Sequence, residues 1–283
     1  MTSAPDGILL VAKPRGITSH TAVAKVRRAL GIKKVGHSGT LDPMAEGLLV
    51  MGVGRGTRLL RFLAGFDKTY EGTARLGVET DTLDADGEVT ATAPVETTED
   101  DVRGAFAKGT GTILQTPPAY SAVKVGGRAL YKSARAGQDV RAEPREVHVA
   151  AFDLLGLRGD EAEFRVVCST GTYVRVLVAE AGRELGCGAH LTRLVRTAIG
   201  PFRLKDARDP EDPGDPLPLD AAVAHLPSFT LPAEEVESCR NGCILAPAGF
   251  AGPYAVRDPE GALIGVYEDR GTKGVPQVIV RPA

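Results

Sequence analysis

Tryptophan is absent from this 283-residue chain, and aromatic residues make up only 5% of it. No stretch approaches the roughly eighteen uninterrupted apolar residues of a membrane-spanning helix, and the opening "MTSAPDGILLVAKPRG" lacks a basic segment followed by a long apolar run. That sets aside membrane insertion and export, and the reading is a cytoplasmic protein. Cysteine is scarce, with only Cys168, Cys187, Cys239 and Cys243. The single C-x-x-x-C has no second pair of ligands, so no zinc site is expected and the thiols read as reduced and buried. Nucleotide-binding signatures are missing too. "GVGRGTR" spaces its glycines G-x-G-x-G and no "GK[ST]" follows, so it reads as a tight strand-to-helix turn. "GHSG" fails the G-x-S-x-G pattern of a hydrolase elbow, and the sequence pairs Ser38 with no base or orienting acid.

Net charge is also small, −2, which by itself argues against nonspecific nucleic-acid binding. Its distribution says more. Residues 1–80 carry twelve Lys or Arg against six Asp or Glu, and a second basic excess runs through "KVGGRALYKSARAGQDVRAEPR". "TDTLDADGE" and "KDARDPEDPGDPLPLD" are acidic. Segregation of this kind suits a polyanion lying on one face with the acids kept elsewhere, although solvated helix faces would give the same pattern.

What is present is an ordinary globular balance, 43% hydrophobic and 25% charged, long enough for one large domain or a main domain with a small appendage. "GILLVAK" reads as a buried strand. "SHTAVAKVRRALG" reads as a helix with Ser19 near its N-cap, Val23, Val26 and Leu30 on one stripe, and Gly31 as its stop. "LLVMGVG" is a strand, "TRLLRFLAG" a short helix, and "KTYEGTARLG" a half-exposed strand. "TTEDDVRGAFAKG" begins with acids and ends with Gly, which marks a helix. Two strands, "VHVAAFDLLGL" and "EFRVVCS", precede a helix in "TYVRVLVAEAGRELG". The irregular alternation predicts a mixed sheet with helices packed on it. Asp206 to Pro218 reads as a linker or surface loop, after which "YAVRD", "LIGVYED" and "PQVIVRP" form a small β-rich appendage.

Two charged residues stand out. Asp42 lies in the Gly-punctuated loop "GHSGTLDPMAEG", where an Asp before Pro is most often a turn starter. Arg175 lies one step into an otherwise apolar helix, so it either snorkels or pairs with a buried carboxylate, and Asp42 is a suitable partner.

The chain from about Ile8 to Gly200 resembles the TruB-type tRNA pseudouridine synthases. The likeness runs in order through "VAKPRGITSHTAVAKVRRALGIKKVGHSGTLDPMAEGLLVMGVGRGTRLL", "DKTYEGTARLGVETDTLDADGE", "QTPPAYSAVKVGGRALYKSARAG" and "CSTGTYVRVLVAEAGRELGCGAHLTRLVRTAIG". The resemblance implies an α+β fold, with a mixed, largely antiparallel central sheet flanked by helices. It implies a catalytic domain over residues 1–222, an RNA-binding, thumb-like insertion at about 116–145, and a small PUA-like β domain over 223–283. It also implies isomerisation of the T-loop uridine at tRNA position 55 to pseudouridine, without cofactor. Asp42 then matches the catalytic carboxylate, Arg175 its cationic partner, and Tyr70 an aromatic that stacks on the flipped base and helps remove the C5 proton. Leu194 matches an apolar wall of the pocket and His37 a residue that fills space left in the T-loop. Lys13, in "AKPRG", matches the family's opening motif, and Lys124, Arg128, Lys132 and Arg135 of the insertion would meet phosphates. The implied partner is tRNA, through its T-loop and stem, bound by a monomer with no membrane and no small-molecule cofactor. The alternative is a noncatalytic RNA-binding or tRNA-folding protein on the same scaffold.

Overall fold

The computed structural model describes residues 6–280 except 122, 135, 137 and 139, and excludes the side chains of Ala129 and Lys132. The apolar N-terminal run forms β1 (Gly7–Lys13), and α1 (Ser19–Leu30) buries Ala22, Val23 and Val26 against Leu9, Val11, Leu49 and Met51. The N-cap of α1 is Thr18, whose Oγ1 accepts from Thr21 N at 3.0 Å, rather than Ser19. That leaves the Ser19 hydroxyl for a different task. Gly31, in the left-handed region at φ 66°, ends the helix as expected.

The Asp42 loop joins β2 (Val35–His37) to β3 (Glu46–Val53). The helix expected over "TRLLRFLAG" is instead a pair of 3-10 turns, Gly54–Arg58 and Leu60–Leu63. Leu60 and Leu63, three apart, eclipse on one side of such a turn, and both are buried. The glycines of "GVGRGTR" serve packing: a Cβ on Gly56 would lie 2.1 Å from Gly7 O on β1.

The chain continues through β4 (Lys68–Leu76), β5 (Val78–Thr80), β6 (Val89–Thr92), α2 (Glu99–Lys108) and β7 (Gly111–Gln115). The basic insertion folds as a minimal hairpin, β8 (Lys124–Val125) and β9 (Arg128–Ala129), and a single-turn α3 (Leu130–Ala134). Then come β10 (Arg145–Arg158), β11 (Glu161–Cys168), α4 (Val174–Glu184), β12 (Ala189–Ile199) and β13 (Phe202–Arg203).

Among the described residues nine strands make one central sheet in the order β1-β3-β12-β4-β11-β10-β7, with β2 beside β3 and β13 beside β12. Every pairing is antiparallel except a short parallel contact of β3 with β12, Glu46 opposite Val195 and Gly47 opposite Arg196. Gly47 has φ 106°, and a Cβ there would meet Arg196 O at 2.5 Å. Helices α2 and α4 pack on β4, β10, β11 and β12, where the Phe106 and Phe152 rings stack at 4.0 Å. The mixed, largely antiparallel α+β architecture is the one expected.

The Pro- and Asp-rich run Asp206 to Pro218 is not a free linker. It straps the outer edge of β1: Ala12 N donates to Arg208 O at 2.8 Å, Arg208 N to Leu10 O at 2.9 Å, and Ile8 N to Leu217 O at 3.0 Å. An open strand edge carries unpaired backbone groups, and a polar segment can satisfy them while Pro prevents it from becoming a full strand.

The C-terminal sheet follows the order β14 (Ser228–Thr230), β15 (Pro253–Arg257), β16 (Leu263–Arg270) and β17 (Lys273–Ile279), with α5 (Val236–Arg240) beside it. It has its own core of Leu231, Cys239, Tyr254, Val256 and Tyr267. Its other face enters a cluster shared with the main sheet, where Ala255, Val266 and Val278 meet Ile8, Leu48, Leu59 and Phe202. An appendage this small gains from borrowing core from its neighbour.

Candidate active site

The loop that carries Asp42 is tied down on both sides of that residue. Ser19 Oγ accepts from Leu41 N at 2.9 Å and donates to Leu41 O at 3.1 Å. On the far side Gly16 N donates to Pro43 O at 2.8 Å and Ala45 N to Asp42 O at 3.1 Å. From β12, Arg196 donates through its guanidinium to Gly39 O at 3.0 Å, Thr40 O at 3.4 Å and Leu48 O at 2.7 Å. Arg196 is 1% exposed, and its role was not anticipated. Its signal in the sequence is an Arg at a buried position of its strand, beside Leu194, Val195 and Ala198.

These ties hold the Asp42 carboxylate beside Arg175, near the start of α4, with 3.0 Å between Arg175 Nη2 and Asp42 Oδ2. The expected pairing is present. Arg175 also reaches a second carboxylate, Asp84 Oδ2 at 3.7 Å, and donates to Thr82 O at 3.2 Å and Tyr120 O at 2.8 Å. Asp84 is a correction to the sequence reading, which kept the acids of "TDTLDADGE" away from the basic face. Its side chain is 8% exposed, and its Oδ1 accepts from Thr82 Oγ1 at 2.6 Å and Asp86 N at 3.2 Å. The turn that turns it inward includes Leu83 at φ 64°, a rare conformation for a branched side chain.

Asp42 is 42% exposed on its open side and crowded elsewhere. Burial pushes its pKa above the usual carboxylate range, with Asp84 adding to the shift, while Arg175 and Lys13 pull it back. Lys13, 1% exposed at the end of β1, donates to Pro14 O at 2.9 Å and Ile17 O at 2.8 Å. Burial lowers its pKa to about 8, against the pull of Asp42 and Glu46.

Asp42, Tyr70, Arg175, Leu194 and Arg196 line one cavity of about 250 Å3, close to the lower end of the roughly 300–1,000 Å3 of ligand pockets. Tyr70 stands on β4 opposite Arg196 in register, with the Arg196 guanidinium carbon 6.0 Å from its ring centroid. Burial raises the Tyr70 pKa, and Arg196 opposes that. Tyr173 completes the far wall. Gln115, fully buried, clamps its backbone by accepting from Tyr173 N at 2.7 Å and donating to Tyr173 O at 3.2 Å.

The remaining expected residues lie elsewhere. His37 is outside the cavity lining; its ring meets His20 edge-on at 5.8 Å, and burial lowers its pKa. Lys124 and Arg128 are exposed on the small hairpin, where Arg128 donates to Gln138 Oε1 at 3.3 Å. The Lys132 side chain and Arg135 lie outside the described residues. Among the described residues no group of three or more His, Cys, Asp or Glu converges as a metal site would, and no helix is long and apolar enough to cross a membrane.

The family model described as "TruB family pseudouridylate synthase (N terminal domain)" matches residues 27–174, and that described as "tRNA Pseudouridine synthase II, C terminal" matches residues 226–281. The chain belongs to the TruB family of pseudouridylate synthases. Among the relatives of this TruB-family chain, tRNA pseudouridine synthase B of Aromatoleum aromaticum is 47% identical over 276 residues, covering 94% of this chain and 89% of the relative. The protein of that name from Mycobacteroides abscessus is 43% identical over 288 residues, covering 98% and 97%. Among solved structures, a chain of a Cbf5–Nop10–Gar1 complex superposes with TM-score 0.71 at 26% identity, covering 97% of this chain and 84% of that one. A chain of an archaeal box H/ACA sRNP Nop10–Cbf5 complex, at 24% identity and TM-score 0.72, shares the fold, again over 97% and 85%.

Proposed function

We propose that this TruB-family chain converts the T-loop uridine at position 55 of tRNA to pseudouridine, with Asp42 as its catalytic carboxylate. The observation that carries the reading is the Asp42 carboxylate, held on a pinned loop against Arg175 at the edge of a cavity that also presents Tyr70. The reaction breaks the C1′–N1 bond, forms C1′–C5, releases the C5 proton and leaves one on N1. Its atoms balance within one nucleotide.

A base stacked inside RNA must leave the stack to bring C1′ to a carboxylate in a recess. Tyr70 offers an aromatic face for the extruded base, a contact worth about 1–3 kcal/mol. Leu194 supplies the apolar wall. Arg175 holds Asp42 ionised against the burial that raises its pKa, so the rate falls as pH drops through that raised value. The insertion's Lys124 and Arg128, with Lys132, would meet phosphates, and His37 would meet the T-loop. Lys13 adds positive charge near Asp42 and braces the turn before α1. In this reading residues 1–222 act as catalytic unit and residues 223–283 as a PUA-like unit touching the tRNA stem, in a monomeric cytoplasmic enzyme.

The test is tritium release from a tRNA transcript labelled at uridine C5. Wild-type protein should release about one tritium per tRNA, because carbon replaces nitrogen at the glycosidic position. Asp42→Asn should release none while still binding. Tight binding by wild type without release would transfer the protein to a role in RNA folding.

A further inference from the structure

The cavity has a second polar wall that none of the reactive groups uses. Five buried side-chain nitrogen or oxygen atoms lack a hydrogen-bond partner among the described residues: Thr97 Oγ1, Ser121 Oγ, Arg145 Nε, Thr172 Oγ1 and Arg175 Nε. Four of those five residues line this one cavity. Orphaned buried donors are costly and rare, so their concentration in one place marks a site that a ligand completes. Arg175 is accounted for by its carboxylates. Thr172 reaches only the Cys168 thiol, a weak hydrogen-bonding group, and Ser121 Oγ and Arg145 Nε reach nothing.

These three come from separate parts of the chain. Ser121, 4% exposed, sits at the base of the insertion, Arg145 opens β10, and Thr172 immediately precedes the N-cap of α4. Arg145 is fixed in place: it donates to Gly171 O, and its guanidinium carbon lies 5.2 Å from the Tyr173 ring centroid. Gly171 has φ 88°, a left-handed conformation that residues with side chains rarely adopt. Among the described residues no carboxylate pairs with Arg145, so a cation stands beside the cavity with its charge uncompensated. Helix α4 starts at the same wall with no acidic residue in its first turn and no side-chain cap, which leaves the positive end of its dipole open to an anion.

We infer that Ser121, Arg145 and Thr172 form a phosphate subsite that grips the RNA backbone next to the extruded nucleotide. The inference rests on the proposed function for the identity of the polyanion. A guanidinium presents donors in a planar fork suited to phosphate oxygens, and two hydroxyls complete the set of donors. An anchor there would hold the sugar while the base is detached, so that C1′ stays at Asp42.

The test is a cycle between protein and RNA. Binding of a T-arm stem-loop RNA is measured for wild type, Arg145→Gln and Thr172→Val, each with the natural RNA and with two RNAs carrying a neutral methylphosphonate, one on each side of the target uridine. For wild type, one of the two modified RNAs should bind roughly tenfold or more weakly, the scale of one charged hydrogen bond. Arg145→Gln should bind natural RNA weakly by a similar factor and respond to the same modification less than about twofold. The slope of its log affinity against log salt should be shallower than that of wild type by about 0.7–0.9, the share of a single phosphate. Arg145→Lys, which keeps the charge, controls for folding and should recover part of the affinity. Independent losses that multiply, or a wild type indifferent to both modifications, would overturn the subsite. Tritium release from the natural RNA is read in parallel: its absence in wild type would overturn the proposed reaction, while the binding cycle still decides the subsite.

Discussion

Two buried regions of this molecule are built on opposite principles. Beneath the reaction cavity the interior is crowded with charge: Arg175 between Asp42 and Asp84, Arg196 under the Asp42 loop, Lys13 at its side. At the seam between the main sheet and the C-terminal sheet the interior is hydrocarbon, with Leu48, Leu59, Phe202, Ala255, Val266 and Val278 in one cluster. Burial of carbon stabilises by about 25 cal/mol per Å2 whatever its exact arrangement. Burial of charge costs several kcal/mol per ion and is recovered only where geometry is nearly ideal. The seam therefore reads as a device for stability, and the charged region as one that gives up stability to hold a carboxylate in place.

The comparison is broken first, and most severely, at Arg175. Arg175→Ala leaves Asp42 and Asp84 facing each other without their shared cation, which should cost up to about 3–5 kcal/mol in urea unfolding, less to the extent that the half-exposed Asp42 is solvated. Removing the group that lowers the Asp42 pKa should also move the acid limb of the tritium-release profile to higher pH. An unchanged profile in a folded variant would show that Arg175 does not govern the charge on Asp42.

Leu59→Ala sharpens the contrast from the other side. Leu59 is fully buried in the seam, and its truncation should cost about 2–5 kcal/mol in urea unfolding. Tritium release measured well below the unfolding transition should stay within about twofold of wild type, since 1.4 kcal/mol in the barrier would already be about tenfold. A large loss of rate at full folding would mean that the seam positions the site after all.

Ser19→Ala should reverse that ratio. It removes the two bonds that hold Leu41, a stability loss of about 1 kcal/mol. The release rate should fall more than the stability does, because the freed segment carries Asp42. Equal and small effects on both would place the positional control in Arg196 and in the backbone bonds at Pro43 and Ala45.

Lys13 gives the test that depends on pH alone. Its pKa is lowered to about 8 in the folded chain from 10.5, so between those values the unfolded chain holds a proton that the folded chain has released. Stability contributed by this group therefore rises with pH across that window. Melting temperatures of wild type and Lys13→Met compared from about pH 8 to 10.5 should converge or cross in that direction. Parallel curves would count against a buried, partly neutral lysine.

Much of this architecture is legible in local pattern. The strand periodicity of "KTYEGTARLG", the acids and terminal Gly around α2, and Gly31 after α1 are short-range signals, and each produced the element expected. The Asp42–Arg175 pair was legible only in part: an Arg in an apolar helix either snorkels or pairs with a carboxylate, and the family resemblance selected the pairing. What failed was long-range. The acidic stretch holding Asp84 looked like solvated surface, because only the turn at Leu83 directs that one carboxylate inward. The Pro- and Asp-rich run read as a linker or surface loop, and its role as a strap was hidden because the edge of β1 that it covers lies about two hundred residues earlier in the chain.

The sequence by itself determined most of the strands and helices and marked Asp42 and Arg175 as residues that could carry chemistry, because side-chain type and periodicity act over a few residues. Tertiary structure alone decided that Arg196 on β12 would hold the loop of Asp42, that Arg175 would bridge two carboxylates, and that Ser121, Arg145 and Thr172 would share one wall. Those residues are separated by tens to more than a hundred positions in the chain. Their meeting depends on strand order and register, which arise from packing the whole sheet at once rather than from any local stretch of it.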